Sequence, residues 1–336
     1  MDCYEAFKKI ESLSANLEKV IRGKREIIEL AVTALLAEGH LLIEDVPGVG
    51  KTTLAHGLAK SINCAFQRIQ FTSDMLPSDV IGVTVYRSVD HAFEFRHGPI
   101  FANIVLADEI NRTTPKTQSA LLEAMNDRQV SVDKVTYPTQ SALLEAMNDR
   151  QVSVDKVTYP LPRPFMLLAT QNPFEFSGTY PLPESQLDRF TMCISIGYPE
   201  ERYEREIIHM PPVSVIMEGL APVLTSDEIL KIQDIAKKVR VEEDLVSFIL
   251  SIAAATRRHK DIRLGVSPRG TMTLYRTAQA LALVKGRDYC IPDDIKSLAL
   301  PVFTHRIIPE TRGAGEETGT ALMLMEDILS GVSVPI

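Results

Sequence analysis

The sequence predicts an α/β fold for its first two-thirds, with a five-stranded, mostly parallel sheet, followed by a small all-α domain. Short apolar runs alternate with helical patterns, which is typical of βαβ units. A glycine-rich loop separates the first apolar run from a helical stretch, and strand-like runs stop after about residue 225. The chain has 336 residues, of which 45% are hydrophobic and 24% charged, a length and composition that fit two globular domains.

Five short apolar segments are the candidate strands, because a strand covered by helices on both faces is apolar throughout. They are His40–Glu44, Phe66–Thr72, Asn103–Ala107, Phe165–Thr170 and Thr191–Gly197. Residues 210–225 contain three prolines and no helical period, so we place a linker there. The predicted organisation is therefore a sheet domain over residues 1–209, a linker over 210–225 and a helical domain over 226–336.

The second domain is predicted to contain helices alone. Thr225 and Glu228 have the spacing of a capping box, which marks the start of a helix. Amphipathic patterns then cover Glu242–His259 and Arg269–Lys285, and Pro292 begins a further helix. This pattern indicates a small helical bundle.

Charge and residue usage disfavour several classes of function. The 36 Lys and Arg against 44 Asp and Glu give a net charge of −8, which argues against binding to a nucleic-acid backbone. The 4 cysteines and 7 histidines lack metal-ligand spacing, and the cysteines read as reduced thiols. No run approaches the ~20 apolar residues of a membrane span, and we expect a cytoplasmic protein without direct membrane insertion.

A phosphate-binding loop follows the first strand. Residues 45–53 read DVPGVGKTT and lead into a helical stretch, so backbone N–H groups can surround phosphate oxygens at a helix N-terminus. Lys51 would reach the β- and γ-phosphates, and Thr52 would ligate Mg²⁺. Asp45 stands where the strict pattern has glycine, a departure that we expect to affect the turn more than the cradle. The candidate ATP-binding residues of the loop are Pro47, Gly48, Val49, Gly50, Lys51, Thr52 and Thr53.

Two adjacent carboxylates, Asp108 and Glu109, follow the third strand. Ligands of open α/β sheets bind at the carboxyl ends of the strands, where these residues lie. Asp108 would contact the nucleotide site by holding Mg²⁺, and Glu109 would orient a water for attack on the γ-phosphate. In isolation, Asp108 reads equally well as a helix N-cap. The upstream phosphate loop favours the catalytic interpretation.

Five segments carry a resemblance to a known family. They read LLIEDVPGVGKTTLA, RIQFTSDMLPSDVIG, GPIFANIVLADEINRTTPKTQSALLEAM, LATQNPFEFSGTYPLPESQLDRF and GVSPRGTMTLYRTAQALA. With them, nearly the whole chain resembles the MoxR family of AAA+ ATPases. The resemblance implies a P-loop αβα sandwich followed by a small helical lid domain, with ATP and Mg²⁺ as ligands.

The resemblance also assigns roles that the residues alone do not. Asn172 matches the sensor 1 position, Arg189 the arginine finger that reaches a neighbouring subunit, and Arg269 the sensor 2 arginine. It implies ring oligomers, usually hexamers, that act as ATP-driven chaperones or activators of proteins with von Willebrand factor A domains. Read alone, Arg189 fits a surface helix residue and Arg269 fits an ion pair with a neighbouring helix.

The chain contains one exact tandem duplication. Residues 117–138 and 139–160 carry the same 22-residue sequence, TQSALLEAMNDRQVSVDKVTYP. Two identical copies are too few for a repeat architecture, so we interpret one as an insertion. We expect the first copy's helix and the second copy's Val152–Tyr159 hairpin to take the native places, leaving Gln129–Arg150 as the surplus.

Three functions remain open at this point. The leading one is an Mg-ATP-dependent ATPase of MoxR type that remodels partner proteins. The second is an ATP-binding switch or scaffold with little turnover, because the duplication lies between Glu109 and Asn172. The third, a relative of DNA helicases or clamp loaders, is disfavoured by the acidic charge balance.

Overall fold

The five predicted strands form one sheet in which every pairing is parallel. A computed structural model describes residues 1–72, 74–87, 92–112, 151–154, 157–172, 182–310 and 317–335 of the chain. The strand order is β2-β5-β8-β1-β9. The strands of this sheet are β1 (Leu41–Glu44), β2 (Phe66–Gln70), β5 (Ile104–Asp108), β8 (Met166–Gln171) and β9 (Met192–Ile194).

The sheet is covered on both faces, as the αβα prediction requires. Alternate residues of a strand point to opposite faces. Accordingly, Leu41 and Ile43 belong to one buried cluster, whereas Leu42 between them belongs to a second. The same alternation divides β5, where Leu106 joins the first cluster and Val105 the second. Each central strand thus contributes to two cores.

The edge strand β2 differs from the prediction of a uniformly apolar strand. Gln67, Arg68 and Gln70 are exposed, and Ile69 is buried. Among the strands that the structure describes, β2 pairs with β5 alone, and its polar side chains remain in solvent. The exposed side chains of Arg68 and Gln70 lie near the candidate site.

Four helices precede the duplicated stretch, and among the described residues three short ones follow it before the helical domain, the last of them within residues 210–225. Helices α1, α2 and α3 all contribute to the first buried cluster. The bounds are α1 (Cys3–Glu18), α2 (Arg25–Leu36), α3 (Lys51–Ser61), α4 (Pro77–Ile81), α5 (Glu184–Leu187), α6 (Glu201–His209) and α7 (Val213–Gly219). Helix α7 corrects the expectation that residues 210–225 lack helix, and the domain boundary itself stays a prediction.

Two antiparallel hairpins project from the sheet domain. The first joins β3 (Gly82–Arg87) to β4 (Ala92–His97), and the second joins β6 (Gln151–Val154) to β7 (Val157–Pro160). The second is the hairpin predicted for the second copy of the duplication. Its Tyr159 ring lies 4.5 Å from the Phe95 ring, between centroids, and so packs against β4. The first copy and Gln129–Arg150 lie outside the described residues.

The second domain contains the four predicted helices and one more, together with a short ribbon. Thr225 accepts a hydrogen bond from the Glu228 N–H and completes the predicted capping box. The helices are α8 (Ser226–Ala236), α9 (Glu243–Arg258), α10 (Pro268–Val284), α11 (Pro292–Phe303) and α12 (Glu317–Gly331). The all-α prediction needs one correction, because β10 (Ile262–Leu264) pairs antiparallel with β11 (Ile308–Pro309).

The helical domain and the sheet domain share a core. The first buried cluster contains Leu13 and Leu35 from α1 and α2 together with Ile232 and Leu274 from α8 and α10. A buried hydrogen bond from Gln233 Nε2 to the Leu35 carbonyl, 2.7 Å long, crosses the same contact. Within the described ranges, the helices are all too short or too polar to cross a membrane.

Candidate functional site

The phosphate loop has the backbone that its glycines require. Gly48 and Gly50 have φ of +88° and +99°, a region that favours glycine. Gly50 is the N-cap of α3 and provides no side-chain cap, so the N–H groups of the first turn are left for a ligand. A Cβ built on Gly48 would meet nothing within 4 Å, which indicates an open cradle. The Lys51 ammonium donates a hydrogen bond to the Asp45 carbonyl across the loop.

Asp45 anchors the loop instead of easing its turn. Its residue exposure is 7%, and one carboxylate oxygen accepts from the Gly197 N–H at 2.7 Å and from Ser195 Oγ at 3.0 Å. The other oxygen accepts from the Val46 N–H at 2.8 Å. A residue that departs from the strict motif therefore ties the loop to the segment after β9.

Asp108 lies at the end of β5 with its carboxylate held from two sides. Thr170 Oγ1 donates to Asp108 Oδ1 at 2.5 Å and accepts the Glu109 N–H at 2.9 Å, so one hydroxyl orients both acidic residues. Arg68 Nε donates to Asp108 Oδ2 at 3.0 Å. The Arg68 guanidinium thus pairs with the carboxylate at Oδ2, and Mg²⁺ bound at that oxygen would have to displace it.

Glu109 occupies a strained backbone position with a bound side chain. Its φ is +57°, which is uncommon outside glycine and frequent at functional sites. Gln70 Nε2 donates to Glu109 Oε2 at 2.6 Å, and Arg112 forms an ion pair with the same oxygen at 3.0 Å. The carboxylate is consequently held at the sheet edge by one residue from β2 and one from its own turn.

The strand order brings the predicted residues together. Because β5, β8 and β1 are adjacent and parallel, their carboxyl ends meet at one edge of the sheet. Asp108 ends β5 and Glu109 follows it, Asn172 follows β8, and the phosphate loop follows β1. These elements form the candidate active site.

The segments that carry the two predicted arginines are in contact, because Ser267 Oγ lies 3.0 Å from each carboxylate oxygen of Asp188. Arg189 is 8% exposed and donates from Nε to the Ser185 carbonyl at 3.1 Å, so it differs from the surface residue of the alternative interpretation. Its side chain would have to leave this buried position to reach a neighbouring subunit. Arg269 follows Pro268 in the first turn of α10. Burial lowers the pKa of Arg269, and the charge of Asp188 opposes this shift. Arg269 thus has the acidic neighbour that the alternative interpretation expects, although Asp188 lies beyond α5 and not on a helix of the lid.

The residues present fit a magnesium nucleotide. Thr52 and Asp108 offer hydroxyl and carboxylate oxygens, which are the ligand types that Mg²⁺ prefers, and the open cradle at Gly48 suits phosphate. Across the described ranges, no group of three or more His, Cys, Asp or Glu side chains could hold a metal by itself. Mg²⁺ would accordingly bind through few protein ligands and the nucleotide phosphates, as is usual for this ion.

The expected adenine region, Ile21–Lys24, lies beside the phosphate loop. The Ile21 side chain is 3.4 Å from a Cβ built on Gly50. Lys24 Nζ donates to the Tyr198 carbonyl at 2.7 Å, so this region also contacts the segment after β9. The position agrees with the expectation, although the pocket itself stays a prediction.

Sequence reasoning missed the side chains that hold the acidic pair. Thr170 is buried inside an apolar strand and reads as an ordinary β-branched residue. Arg68 and Gln70 lie two residues apart and so share one face of β2, a period-2 signal that marks a polar strand face. The sequence therefore indicates the polar face of β2. It does not indicate the partners of Arg68 and Gln70, because these depend on the strand order.

Comparison with family models gives two matches in the sheet domain and one in the lid. The model of the ATPase family associated with various cellular activities (AAA) matches residues 40–140 and again 135–192. The AAA lid domain model matches residues 254–323. The two sheet-domain matches overlap inside the duplicated stretch, as expected if the family pattern contains that stretch once.

Relatives cover almost the whole chain. An uncharacterised Bacillus subtilis protein, YeaC, is 45% identical over 96% of this chain and 93% of its own. Chaperone MoxR1 of Mycobacterium tuberculosis is 35% identical over 97% of this chain and 82% of its own. A crystal structure of a candidate ATPase from Cytophaga hutchinsonii superposes with a TM-score of 0.83 at 35% identity, covering 99% of this chain and 97% of that one.

Proposed function

Because the chain belongs to the MoxR family of AAA+ ATPases, we propose that it hydrolyses Mg-ATP at the subunit interfaces of a ring and thereby remodels partner proteins. The observation that carries the proposal is the meeting of the phosphate loop, the Asp108–Glu109 pair and Asn172 at one sheet edge. Binding elements and a water-activating carboxylate are then combined in one site.

The phosphate loop and the acidic pair have different proposed roles, binding of the nucleotide and activation of the attacking water. The N–H groups at the start of α3 and the Lys51 ammonium would bind the phosphates, and Thr52 and Asp108 would hold Mg²⁺. When bound, the ion neutralises charge on the β- and γ-phosphates. Glu109 accepts a proton from the attacking water, and Asn172 orients that water.

The remaining cations are supplied by the arginines. Arg269 acts on the ATP of its own subunit, and Arg189 acts on the ATP of the neighbouring subunit. Hydrolysis therefore requires a ring, for which we propose the six-subunit form that the family resemblance implies. We also propose a cytoplasmic location, a chaperone-like role and partner proteins with von Willebrand factor A domains.

Two substitutions test the site. Lys51→Ala removes a charged donor to the phosphates, and we expect ATP affinity to fall roughly 10- to 100-fold. Glu109→Gln keeps the side-chain shape but cannot take a proton, so turnover should fall about 10²–10⁴-fold with affinity retained. A fluorescent ATP analogue measures binding, and phosphate release measures turnover. Unchanged turnover in Glu109→Gln would remove Glu109 from the mechanism.

The duplication supports a second candidate function, an ATP-binding switch with little turnover. The extra 22 residues lie between Glu109 and Asn172, two residues that must act on one water molecule. Steady-state phosphate release decides between the candidates. ATP binding with release no faster than that of Glu109→Gln would favour the switch.

A further inference from the structure

A buried arginine of the lid is seated in the segment that carries Arg189. Arg306 lies in a 3₁₀ turn that follows α11, and its side chain is 1% exposed. Its Nε donates to Asp188 Oδ1 at 3.0 Å. The remaining guanidinium N–H groups bind the carbonyl oxygens of Asp188, Phe190, Thr191 and Val302. One lid side chain thus holds the backbone on both sides of Arg189.

The carboxylate of Asp188 is also bound by the helix that carries Arg269. Ser267 Oγ lies 3.0 Å from each carboxylate oxygen of Asp188. The same hydroxyl accepts the Gly270 N–H at 3.1 Å and so caps α10, whose second residue is Arg269. Asp188 consequently links the start of α10, the side chain of Arg306 and the residue next to Arg189.

Gly270 provides the space through which Arg306 reaches this segment. A Cβ built on Gly270 would lie 2.8 Å from Val266 Cγ1, 2.9 Å from Arg306 Cδ and 3.2 Å from Arg306 Nε. Glycine inside a helix costs about 1 kcal/mol relative to alanine. The close approach of Arg306, together with that of Val266, explains why α10 carries glycine one residue after Arg269.

We propose that Arg306, through Asp188, is a positioning residue that fixes Arg189 relative to the lid of its own subunit. The inference rests on the proposed role of Arg189 at the neighbour's ATP. A buried guanidinium that binds several carbonyl groups of one turn holds that turn rigidly, because each unmade bond leaves a buried polar group. The lid of each subunit thus sets the arginine that the subunit offers to its neighbour.

The test separates the subunit that offers Arg189 from the subunit that binds ATP. Arg306→Met keeps the length of the side chain and removes its charge and its donors. We expect a fall in ring ATPase activity of about 10²-fold, the scale of a 1 Å misplacement, with ATP-analogue affinity nearly unchanged. Mixing Arg306→Met chains with Lys51→Ala chains should restore turnover, because the second chain offers an intact arginine to the first chain's ATP. Mixing with Arg189→Ala chains should restore none.

A second lid arginine provides the matched control. Arg287 forms an ion pair with Asp294, which is 4% exposed, and its other hydrogen bond is to the Tyr289 carbonyl in the same domain. Arg287→Met therefore removes a buried lid ion pair away from the Arg189 segment. We expect it to retain turnover wherever it folds. An equal loss in Arg287→Met would overturn the inference, since general damage to the lid would then explain both variants.

Further outcomes keep the inference separate from the proposed function. If a mixture of Lys51→Ala and Arg189→Ala chains regains no turnover, action of Arg189 in trans is wrong. If Lys51→Ala with Arg189→Ala regains turnover but Lys51→Ala with Arg306→Met does not, the positioning role of Arg306 is wrong and the proposed function stands. Should Arg306→Met not fold, the double variant Arg306→Met with Asp188→Asn, which leaves no buried charge unpaired, is tested in the same mixtures with the same expected rescue.

Discussion

His305 is held neutral at the contact between the lid and the sheet domain. Its Nε2 lies 3.2 Å from the Phe190 carbonyl, and Arg306 is its neighbour in the turn. Burial, followed by the charge of Arg306, lowers the pKa of His305 well below its ordinary 6.5. Protonation of this ring would place a second cation beside a buried guanidinium.

The protein should therefore lose stability in mild acid. The unfolded chain takes up a proton on this residue near pH 6.5, whereas the folded chain resists it, so the free energy of unfolding falls as the pH drops below about 6.5. One such group contributes at most about 1.4 kcal/mol per pH unit. Urea unfolding at about pH 7.5 and about pH 5.5 measures the loss.

The His305→Gln variant identifies the group responsible. Glutamine does not titrate, so the variant should lose less stability between the two pH values than the parent chain. The free energy of unfolding of the variant should still fall somewhat with pH, because burial and the charge of Lys60 also lower the pKa of His56. A His305→Gln slope as steep as the parent's would assign the acid sensitivity to other residues.

At the scale of elements, Asp45 ties the loop after β1 to the segment after β9. Asp45→Ala leaves the half-buried N–H of Gly197 without its partner, so we expect a loss of about 1 kcal/mol in the free energy of unfolding. ATP affinity should fall as well, because the loop then loses its anchor. Ser195→Ala is the control, since it removes one of the three hydrogen bonds and should cost less. Unchanged affinity and stability in Asp45→Ala would contradict this account.

Elements with a strong local pattern could be predicted from the sequence. The buried strands β1, β5 and β8 are continuous apolar runs, and the capping box at Thr225 and Glu228 marks a helix start without tertiary information. The ribbon of β10 and β11 has strands of 3 and 2 residues, which is too short for a detectable period.

Contacts between distant residues could not be predicted from local patterns. The phosphate loop and the acidic pair can be predicted from the sequence because each is contiguous in the chain. The contact of Arg306 with Asp188 joins residues 118 positions apart, and Thr170 lies 62 positions from Asp108. No local period encodes such pairs, because each depends on which strands and domains become neighbours.

For the whole molecule, the duplication gives a direct prediction. Deleting any 22-residue window that starts between Thr117 and Thr139 leaves the same 314-residue chain. The apolar residues Ala142, Leu143, Leu144 and Met147 repeat Ala120, Leu121, Leu122 and Met125. We predict that one of the two sets lacks a groove to fill and that this region lies near the subunit interface. We expect the shortened chain to bind ATP as well as the full chain does. It should form rings more completely and hydrolyse ATP faster than the full chain.

Sedimentation and phosphate release across a range of chain concentrations measure both properties. Turnover per chain should rise with concentration, since an arginine acting in trans contributes about 10³–10⁵ in rate in other NTPases. The control is the full chain under the same conditions. Equal assembly and equal turnover with one copy and with two would show that the insertion is neutral.

The core shared by the two domains also has a consequence for biosynthesis. The Leu35 carbonyl in α2 can accept its hydrogen bond from Gln233 only after the ribosome has added 198 further residues. At the usual 5–20 residues per second, that delay is roughly 10–40 s on the ribosome. For this time the parts of α1 and α2 that pack on the helical domain lack that partner. We therefore expect the nascent chain to need shielding from aggregation until translation reaches its last third.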